Sequence, residues 1–284
     1  MARRLAEKIV ARGGRVETSA PVGVIRHDPS GVEFETKDGR RFRGRYAILT
    51  GTPVALSTHI TWSPPLPAGN QLMLSSARIG NYNKHYAFFN QGPVWRSDPT
   101  LWARIQNRSV MWPMVYTALP PLPADDPQMP NGTHFFPSHV IDNSPATVDT
   151  GDPGCPNGAG ALFSFGWPEN GTTATARAQG WYSVLAGIPG LPKPSSVVGQ
   201  AWAEEPYVMG AYGAWWPPKV LSVAKEQFAA VPGGRVFFAG TEWSAKSAGY
   251  MNGAIHNGRR HGDLVLDRLR RAASDGHGDG QSRV

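Results

Sequence analysis

Cysteine, long apolar runs and clustered histidines are all scarce in this chain of 284 residues. The one cysteine, Cys155, excludes an internal disulfide and any multi-cysteine zinc or iron–sulfur centre. No window approaches the roughly 18 apolar residues of a membrane-spanning helix, and the charged opening residues are unlike a secretion signal. The eight histidines never show a His-x3-His or HExxH spacing. We therefore expect no metal site and no membrane anchor.

Acidic residues are also in deficit, with 21 Asp and Glu against 28 Lys and Arg, which gives a formal net charge of +7. The basic residues are dispersed in short runs such as Arg259-Arg260, a pattern typical of a solvated surface rather than of a nucleic-acid-binding face. We expect a soluble protein without a nucleic-acid partner, and the cytoplasm is the favoured location.

Glycine and proline are abundant, with 33 and 26 residues, and predict many turns and long ordered loops. The apolar stripe of the opening segment, stopped by Gly13-Gly14, predicts a helix. Alternating residues over 21–43, with a turn at 37–40, predict antiparallel strands. The apolar run 46–50 before Gly51 is typical of a buried parallel strand.

The middle of the chain, from about 53 to 201, is dense in proline and mixed in pattern. It predicts strands over 82–89 and 161–167, a helix over 173–185, and long loops over 120–160.

The α/β order returns near the end of the chain. A helix is predicted over 223–230, a buried strand over 235–239, and a long amphipathic helix over 251–272. The polar, glycine-rich residues 273–284 predict a disordered tail.

One strand-to-helix crossing carries the strongest chemical signal. It reads Val236-Phe-Phe-Ala-Gly-Thr-Glu-Trp-Ser-Ala-Lys-Ser-Ala-Gly-Tyr-Met-Asn-Gly-Ala-Ile. Such a crossing aims backbone N–H groups at an anionic or electron-rich group, and Glu242 stands where open α/β sheets bind ligands. The pattern alone is equally compatible with an ordinary strand–loop–helix whose glutamate is solvated.

This block resembles the C-terminal flavin-binding signature of the flavin-containing amine oxidases, the monoamine oxidase family. Trp202-Ala-Glu-Glu-Pro-Tyr-Val-Met-Gly-Ala-Tyr resembles the family segment that lays aromatic rings against the flavin. Pro64-Pro-Leu-Pro, Gly80-Asn-Tyr-Asn-Lys-His-Tyr and Pro93-Val-Trp-Arg match a third region. The order and spacing agree with the family from about residue 5 to about residue 269.

The resemblance implies an α/β (α+β) fold in which an incomplete FAD/NAD(P)-binding-like flavin domain is interleaved with a mixed-sheet substrate domain. Residues 1–53 and 206–272 would form the flavin domain and residues 54–205 the substrate domain. The chain contains no G-x-G-x-x-G, so it resembles the C-terminal portion of the family. Ala211 stands where some members carry a flavin-linking cysteine, which implies that FAD is held noncovalently.

Three residues match family positions around the reacting centre. Tyr212 and Tyr250 match the two cage tyrosines whose ring faces favour an amine nitrogen. Lys84 matches the lysine that holds a water against the reactive flavin nitrogen. The alternatives are core tyrosines with satisfied hydroxyls and a lysine on a solvated strand face.

The residues implied to bind FAD are distributed over both ends of the chain. Glu242 would bind the ribityl group, backbone amides would bind phosphate and ring atoms, one strand residue would bind adenine, and two rings would pack on the flavin. These residues are Val22, Trp202, Tyr207, Gly240, Thr241, Glu242, Gly249 and Met251.

The implied reaction is the oxidation of a primary amine to an aldehyde, with oxygen as acceptor and with release of ammonia and hydrogen peroxide. Polyamines and L-amino acids are the alternative substrates, and Tyr250 favours simple amines because amino-acid oxidases commonly carry tryptophan there. A non-catalytic remnant or interaction module is the alternative class, supported by the missing dinucleotide unit. The partners implied are a small amine and oxygen, with a homodimer left open.

Overall fold

The computed structural model describes residues 2–107, 137–144, 159–166, 174–223, 230–231 and 233–278. The chain forms two compact units, unit 1 from residues 1–78 and 213–284 and unit 2 from residues 79–212. The boundaries between the two units lie after residues 78 and 212. The sequence predicts domain boundaries after residues 53 and 205. Cys155 and most of the helix predicted over 223–230 lie outside the described residues.

The α-helices among the described residues are numbered in chain order. They are α1 (Ala2–Ala11), α2 (Pro53–His59), α3 (Ala68–Ser76), α4 (Pro99–Gln106), α5 (Ala174–Ala186), α6 (Val220–Val223) and α7 (Met251–Gly278). The strands are β1 (Val22–His27), β2 (Val32–Thr36), β3 (Arg41–Gly44), β4 (Ala47–Leu49), β5 (Thr61–Ser63), β6 (Arg78–Ile79), β7 (Asn83–Phe89), β8 (Pro137–Asp142), β9 (Gly160–Gly166), β10 (Ser196–Ala201), β11 (Ala214–Trp215) and β12 (Val236–Phe238). Two short 3-10 helices, Val94–Arg96 and Trp202–Glu204, complete the secondary structure of this part of the chain.

Unit 1 contains a four-stranded sheet in the order β3-β2-β1-β5 and a parallel pair, β12 and β4. The antiparallel strands predicted over 21–43 are confirmed as β1, β2 and β3. The apolar runs of β4 and β12 pair in parallel, as predicted, and Ala239 N–H donates to the Leu49 carbonyl at 2.8 Å just beyond them. One buried apolar cluster, which includes Ile25, Phe238 and Trp243, joins both sheets.

Residues 53–78 lie in unit 1 because their apolar side chains belong to its core. Leu56 of α2 and Met73 and Leu74 of α3 are buried in the same cluster as β4 and β12. Thr52 caps α2 by accepting a hydrogen bond from Ala55 N–H, and Pro53 occupies the first turn. Prolines therefore stand at helix starts in this segment.

The described part of unit 1 begins and closes with a helix. The opening helix is confirmed as α1, and it stops at Gly13, whose φ of +80° suits a residue without a side chain. The closing helix α7 begins at Met251 and continues to Gly278, so residues 273–278 are helical where the sequence predicted a disordered tail.

Unit 2 is built on an antiparallel sheet in the order β10-β7-β9-β8. The strands predicted over 82–89 and 161–167 are confirmed as β7 and β9, and the helix predicted over 173–185 as α5. One face of the sheet packs on α4 and α5 through a buried cluster that includes Phe89, Leu162 and Trp181. Asp98 caps α4, since its carboxylate accepts the N–H groups of Thr100 and Leu101, both at 2.9 Å.

None of the helices in the described ranges combines the length and the apolar character that crossing a bilayer requires. The same ranges contain no cluster of three or more His, Cys, Asp or Glu side chains arranged to hold a metal ion.

Candidate functional site

One face of the unit 2 sheet packs on α4 and α5, and the opposite face is rich in aromatic rings. Strand alternation places Asn83, His85 and Ala87 of β7 on the core side, where all three are buried. Lys84 and Tyr86 lie between them on the opposite face and are only partly buried. We call this the aromatic face, and its described members are Lys84, Tyr86, Phe88, Ile141, Ala161, Phe163, Phe165, Ser196, Val198 and Gln200.

Lys84 lies among the rings of this face. Its cross-strand neighbours are Phe165 on β9 and Gln200 on β10. The Lys84 ammonium lies 4.6 Å from the Phe163 ring centroid and 5.5 Å from that of Phe165. A cation over aromatic faces is attracted by their quadrupole, which makes a charge in this otherwise apolar setting tolerable. Lys84 is therefore neither a core residue nor a freely solvated one.

Tyr212 reaches the same cluster from the other end of unit 2. Its ring lies 4.9 Å from Phe165 at an interplanar angle of 76° and 4.7 Å from Tyr82 at 34°. Desolvation of the phenol, with a smaller effect of Tyr82, raises the pKa of Tyr212 to about 12. Phe165 thus contacts both Lys84 and Tyr212, and the structure brings these two predicted residues together.

Two glycines allow the close backbone approach that positions Tyr212. The N–H of Ala211 donates to the Gly80 carbonyl at 2.8 Å, so the two backbone segments approach closely. A Cβ on Gly80 would overlap the Ala211 carbonyl oxygen, and one on Gly210 would lie 2.5 Å from the Gly80 oxygen. Gly210 also has a φ of +153°, which residues with side chains rarely adopt.

Trp202 and Tyr207 also belong to unit 2, on the segment that follows β10. Trp202 opens a 3-10 helix and is partly buried, and Tyr207 is 51% exposed. The segment is held by Gln200, whose amide donates to the Glu205 carboxylate at 2.6 Å. Tyr207 is accordingly not a core side chain.

The predicted cofactor turn lies in unit 1, directly after β12. Gly240 has a φ of +129°, so the chain turns sharply where the strand ends. The Glu242 carboxylate accepts the N–H of Ala214 at 3.3 Å. A Cβ on Gly213 would lie 3.4 Å from the same carboxylate and 3.9 Å from the Gly249 Cα. Unit 1 thus brings Gly213, Glu242 and Gly249 together around one carboxylate.

The start of α7 is tied to this turn. The Thr241 hydroxyl donates to the Tyr250 carbonyl at 3.0 Å. The side chains of Tyr250 and Met251 are 71% and 72% exposed. Tyr250 is therefore not a buried core tyrosine, and it belongs to unit 1, whereas Tyr212 belongs to unit 2.

Val22 stands apart from the other predicted residues of unit 1. It is the first residue of β1 and is partly buried against the apolar cluster of that unit. Its side chain has the surroundings of a plain strand valine, so its adenine-binding role rests on the family resemblance alone.

The turn after β12 offers groups that suit a dinucleotide flavin. Among the hydrogen bonds of the described residues, none is donated by the backbone N–H of Gly240 or Thr241. Backbone N–H groups at a glycine can donate hydrogen bonds to phosphate oxygens, because no side chain blocks their approach. A carboxylate can accept hydrogen bonds from ribityl hydroxyls. The residues present therefore fit the chemistry of FAD.

Residues that no motif singles out connect the predicted ones. Phe165 joins Lys84 to Tyr212, Tyr82 packs against Tyr212, and the Ala214 N–H donates to Glu242. Phe163 and Phe165 alternate in the sequence, which signals one face of a strand, but their register with Lys84 is a property of the fold.

Comparison with known proteins gives the family. Residues 1–266 match the model of the flavin-containing amine oxidoreductases, and the chain belongs to this family. It is 25% identical to amine oxidase [flavin-containing] B of Cavia porcellus over 93% of its own length and 45% of the relative. It is 29% identical to an L-amino acid dehydrogenase of Synechocystis over 94% of its length and 50% of the relative.

Solved structures agree on the fold. Cyclohexylamine oxidase from Brevibacterium oxydans matches with a TM-score of 0.65 and 22% identity, over 94% of this chain and 52% of that one. A putrescine oxidase bound to putrescine matches with a TM-score of 0.61 and 20% identity, over 87% and 48%. The chain spans about half the length of the curated relatives it matches.

Proposed function

We propose that this chain carries the substrate-side residues and the C-terminal cofactor-side residues of an FAD-dependent oxidase of primary amines. The observation that carries the proposal is the aromatic face, where Phe165 contacts both Lys84 and Tyr212. A lysine held among rings at the open face of a sheet has no packing role, since the core lies on the opposite face.

The aromatic face accounts for amine binding. Its rings provide apolar surface for the carbon skeleton of the amine, and the partly exposed ring of Tyr212 offers its face to the nitrogen. The raised pKa of Tyr212 keeps its phenol neutral at physiological pH, so the hydroxyl remains a donor. The positive Lys84 disfavours a protonated ammonium nearby and therefore favours the neutral amine, the form that can be oxidised.

Bound FAD would supply the acceptor for a hydride from the α-carbon of the amine. On the protein side, Glu242 would hold ribityl hydroxyls, and the amides of Gly240 and Thr241 would hold phosphate oxygens. Lys84 would orient a water with its ammonium. Because Ala211 has no thiol, the cofactor would be bound without a covalent link.

L-amino acids are the second candidate substrates. The 29% identity to an L-amino acid dehydrogenase favours them, and the Lys84 cation could face a carboxylate. Among the described residues of the aromatic face, however, Lys84 is the only charged side chain, and a carboxylate clamp generally uses an arginine fork. Simple amines remain the better fit.

The test uses the purified chain of 284 residues. FAD is titrated against it by flavin fluorescence, and the complex is then offered cyclohexylamine, putrescine or an L-amino acid while hydrogen peroxide and ammonia are measured. We expect FAD to bind and then to be released completely by acid denaturation, with peroxide formed from the simple amines.

Absence of FAD binding would overturn the proposal for this chain and favour the non-catalytic alternative. Activity with the L-amino acid alone would favour the second candidate. FAD that stays with the precipitated protein would contradict noncovalent binding.

A further inference from the structure

The long helix α7 buries two polar side chains in the core of unit 1. Asn257 and His261 are 1% and 2% exposed. They stand four residues apart, one turn of helix, so they lie on the same face. Burying polar groups is unfavourable unless they are hydrogen-bonded, so their partners show what they hold.

The two side chains form a chain of hydrogen bonds that ends on the cofactor turn. The Asn257 amide donates to the Trp243 carbonyl, and His261 Nδ1 lies 2.7 Å from Asn257 Oδ1. Because the Asn257 nitrogen is committed to the carbonyl, its oxygen accepts and His261 Nδ1 must carry the hydrogen. His261 therefore fixes the orientation of the Asn257 amide.

Trp243 is the last residue of the turn that contains Gly240, Thr241 and Glu242. Its indole ring stacks on Phe238 at a centroid distance of 4.8 Å, while its carbonyl is held from α7 by Asn257. The Ser244 N–H donates to the Thr241 carbonyl at 3.3 Å and closes the turn. The turn is thus held both by the stacked indole ring of Trp243 and by the hydrogen bond to the Trp243 carbonyl.

We propose that Asn257 and His261 are positioning residues that hold the Gly240–Trp243 turn in the conformation that binds the flavin. The inference rests on the proposed function for the identity of the ligand. The positioning itself rests on the chain from His261 through Asn257 to the Trp243 carbonyl. Apolar residues at the two positions would fill the same space but would remove the hydrogen bond from Asn257 to that carbonyl.

Four variants separate positioning from packing. His261→Phe keeps a ring against Phe237, which His261 contacts at 5.5 Å, but removes the donor. His261→Gln keeps an N–H donor of similar reach and is the conservative rescue. Asn257→Leu removes the link to Trp243 at similar volume. His256→Gln is the matched control, because His256 is an exposed histidine on the same helix.

Two measurements are made on the full chain. Hydrogen exchange read by mass spectrometry compares the Ser244 amide with the amides of β12, and the dissociation constant for FAD is measured by titration. We expect about ten-fold faster exchange at Ser244 and about ten-fold weaker FAD binding in His261→Phe and Asn257→Leu, the effect of one unmade buried hydrogen bond. His261→Gln and His256→Gln should stay close to wild type.

Exchange at Ser244 that is unchanged in both His261→Phe and Asn257→Leu would overturn the inference. An equal rise over β12 and the turn would also overturn it, because the pair would then serve general stability. If wild type binds no FAD, the proposed function fails for this chain, while the exchange at Ser244 still decides whether the pair holds the turn.

Discussion

Gly80 permits the close backbone approach that places Tyr212 against Phe165 of the aromatic face, and Gly80→Ala tests this directly. The added Cβ would overlap the Ala211 carbonyl oxygen, which is backbone and cannot rotate away. Relief requires that the segment carrying Tyr212 move and that the hydrogen bond from Ala211 N–H to the Gly80 carbonyl, 2.8 Å long, be stretched.

The magnitude follows from three contributions. Overpacking a tight site costs about 1–3 kcal/mol. Weakening the Ala211–Gly80 hydrogen bond adds about 0.5–1.5 kcal/mol. The lower conformational entropy of the unfolded alanine chain offsets about 0.4–1 kcal/mol. The free energy of unfolding should therefore fall by about 0.5–4 kcal/mol.

Urea unfolding followed by circular dichroism measures this change, and Gly258→Ala is the matched control. Gly258 lies in α7 with no atom within 4 Å of its added Cβ, so alanine should stabilise the helix by up to about 1 kcal/mol. A Gly80→Ala variant as stable as wild type, with an unchanged pKa of Tyr212 by NMR titration, would refute the argument that this approach positions Tyr212.

Further substitutions separate binding, catalysis and pH dependence. Lys84→Met should retain FAD but slow turnover by about 10²–10³-fold. The control Lys193→Met, at an exposed lysine, should change neither FAD binding nor turnover. A turnover rate of Lys84→Met equal to that of wild type would show that Lys84 takes no part in the reaction. Tyr250→Phe should slow turnover less than Tyr250→Ala, which should raise KM and lower kcat together, and steady-state kinetics at varied amine concentration decide this. Burial, followed by the nearby Arg260, lowers the pKa of His261, and Arg268 lies over the Phe237 ring that His261 contacts. Just below pH 6.5, His261 is therefore protonated more readily in the unfolded chain than in the folded chain. The free energy of unfolding should fall as the pH decreases below this value. His261→Gln should reduce the slope of the unfolding free energy against pH.

The parts of the fold predicted from sequence are those with a regular pattern. Alternation identified β1 and β2, apolar runs identified β4 and β12, and a glycine stop identified the end of α1. The helices α2, α3 and α4 were not predicted because they are short, begin at or just after prolines and stand in a proline-rich region. Each helix has too few residues to show a clear amphipathic period, and the prolines around it predict loops instead.

Motifs assign the candidate site residue by residue but do not describe its arrangement. Lys84, Tyr212 and Glu242 are assigned from motifs alone, and the family match covers residues 1–266. The contacts among them depend on register and on close backbone approach, as at Phe165 and Gly80, and neither is visible in a single sequence. The assignments of Lys84, Tyr212 and Tyr250 to the reacting centre, and of Glu242 and Met251 to the cofactor, stay predictions.

Strand β7 shows how one short segment serves stability and function at once. Its odd-numbered residues, from Asn83 to Phe89, are buried on the face that packs against α4 and α5, and its even-numbered residues carry Lys84 and Tyr86 on the aromatic face. A register slip of one residue would place the lysine in the core and expose Phe89. Pairing on both sides, with β9 and β10, opposes such a slip. Ser195 adds two hydrogen bonds to the Phe88 carbonyl, from its N–H at 2.8 Å and its hydroxyl at 2.9 Å. The lysine can therefore stay among the rings because the rest of the strand fixes which face it occupies.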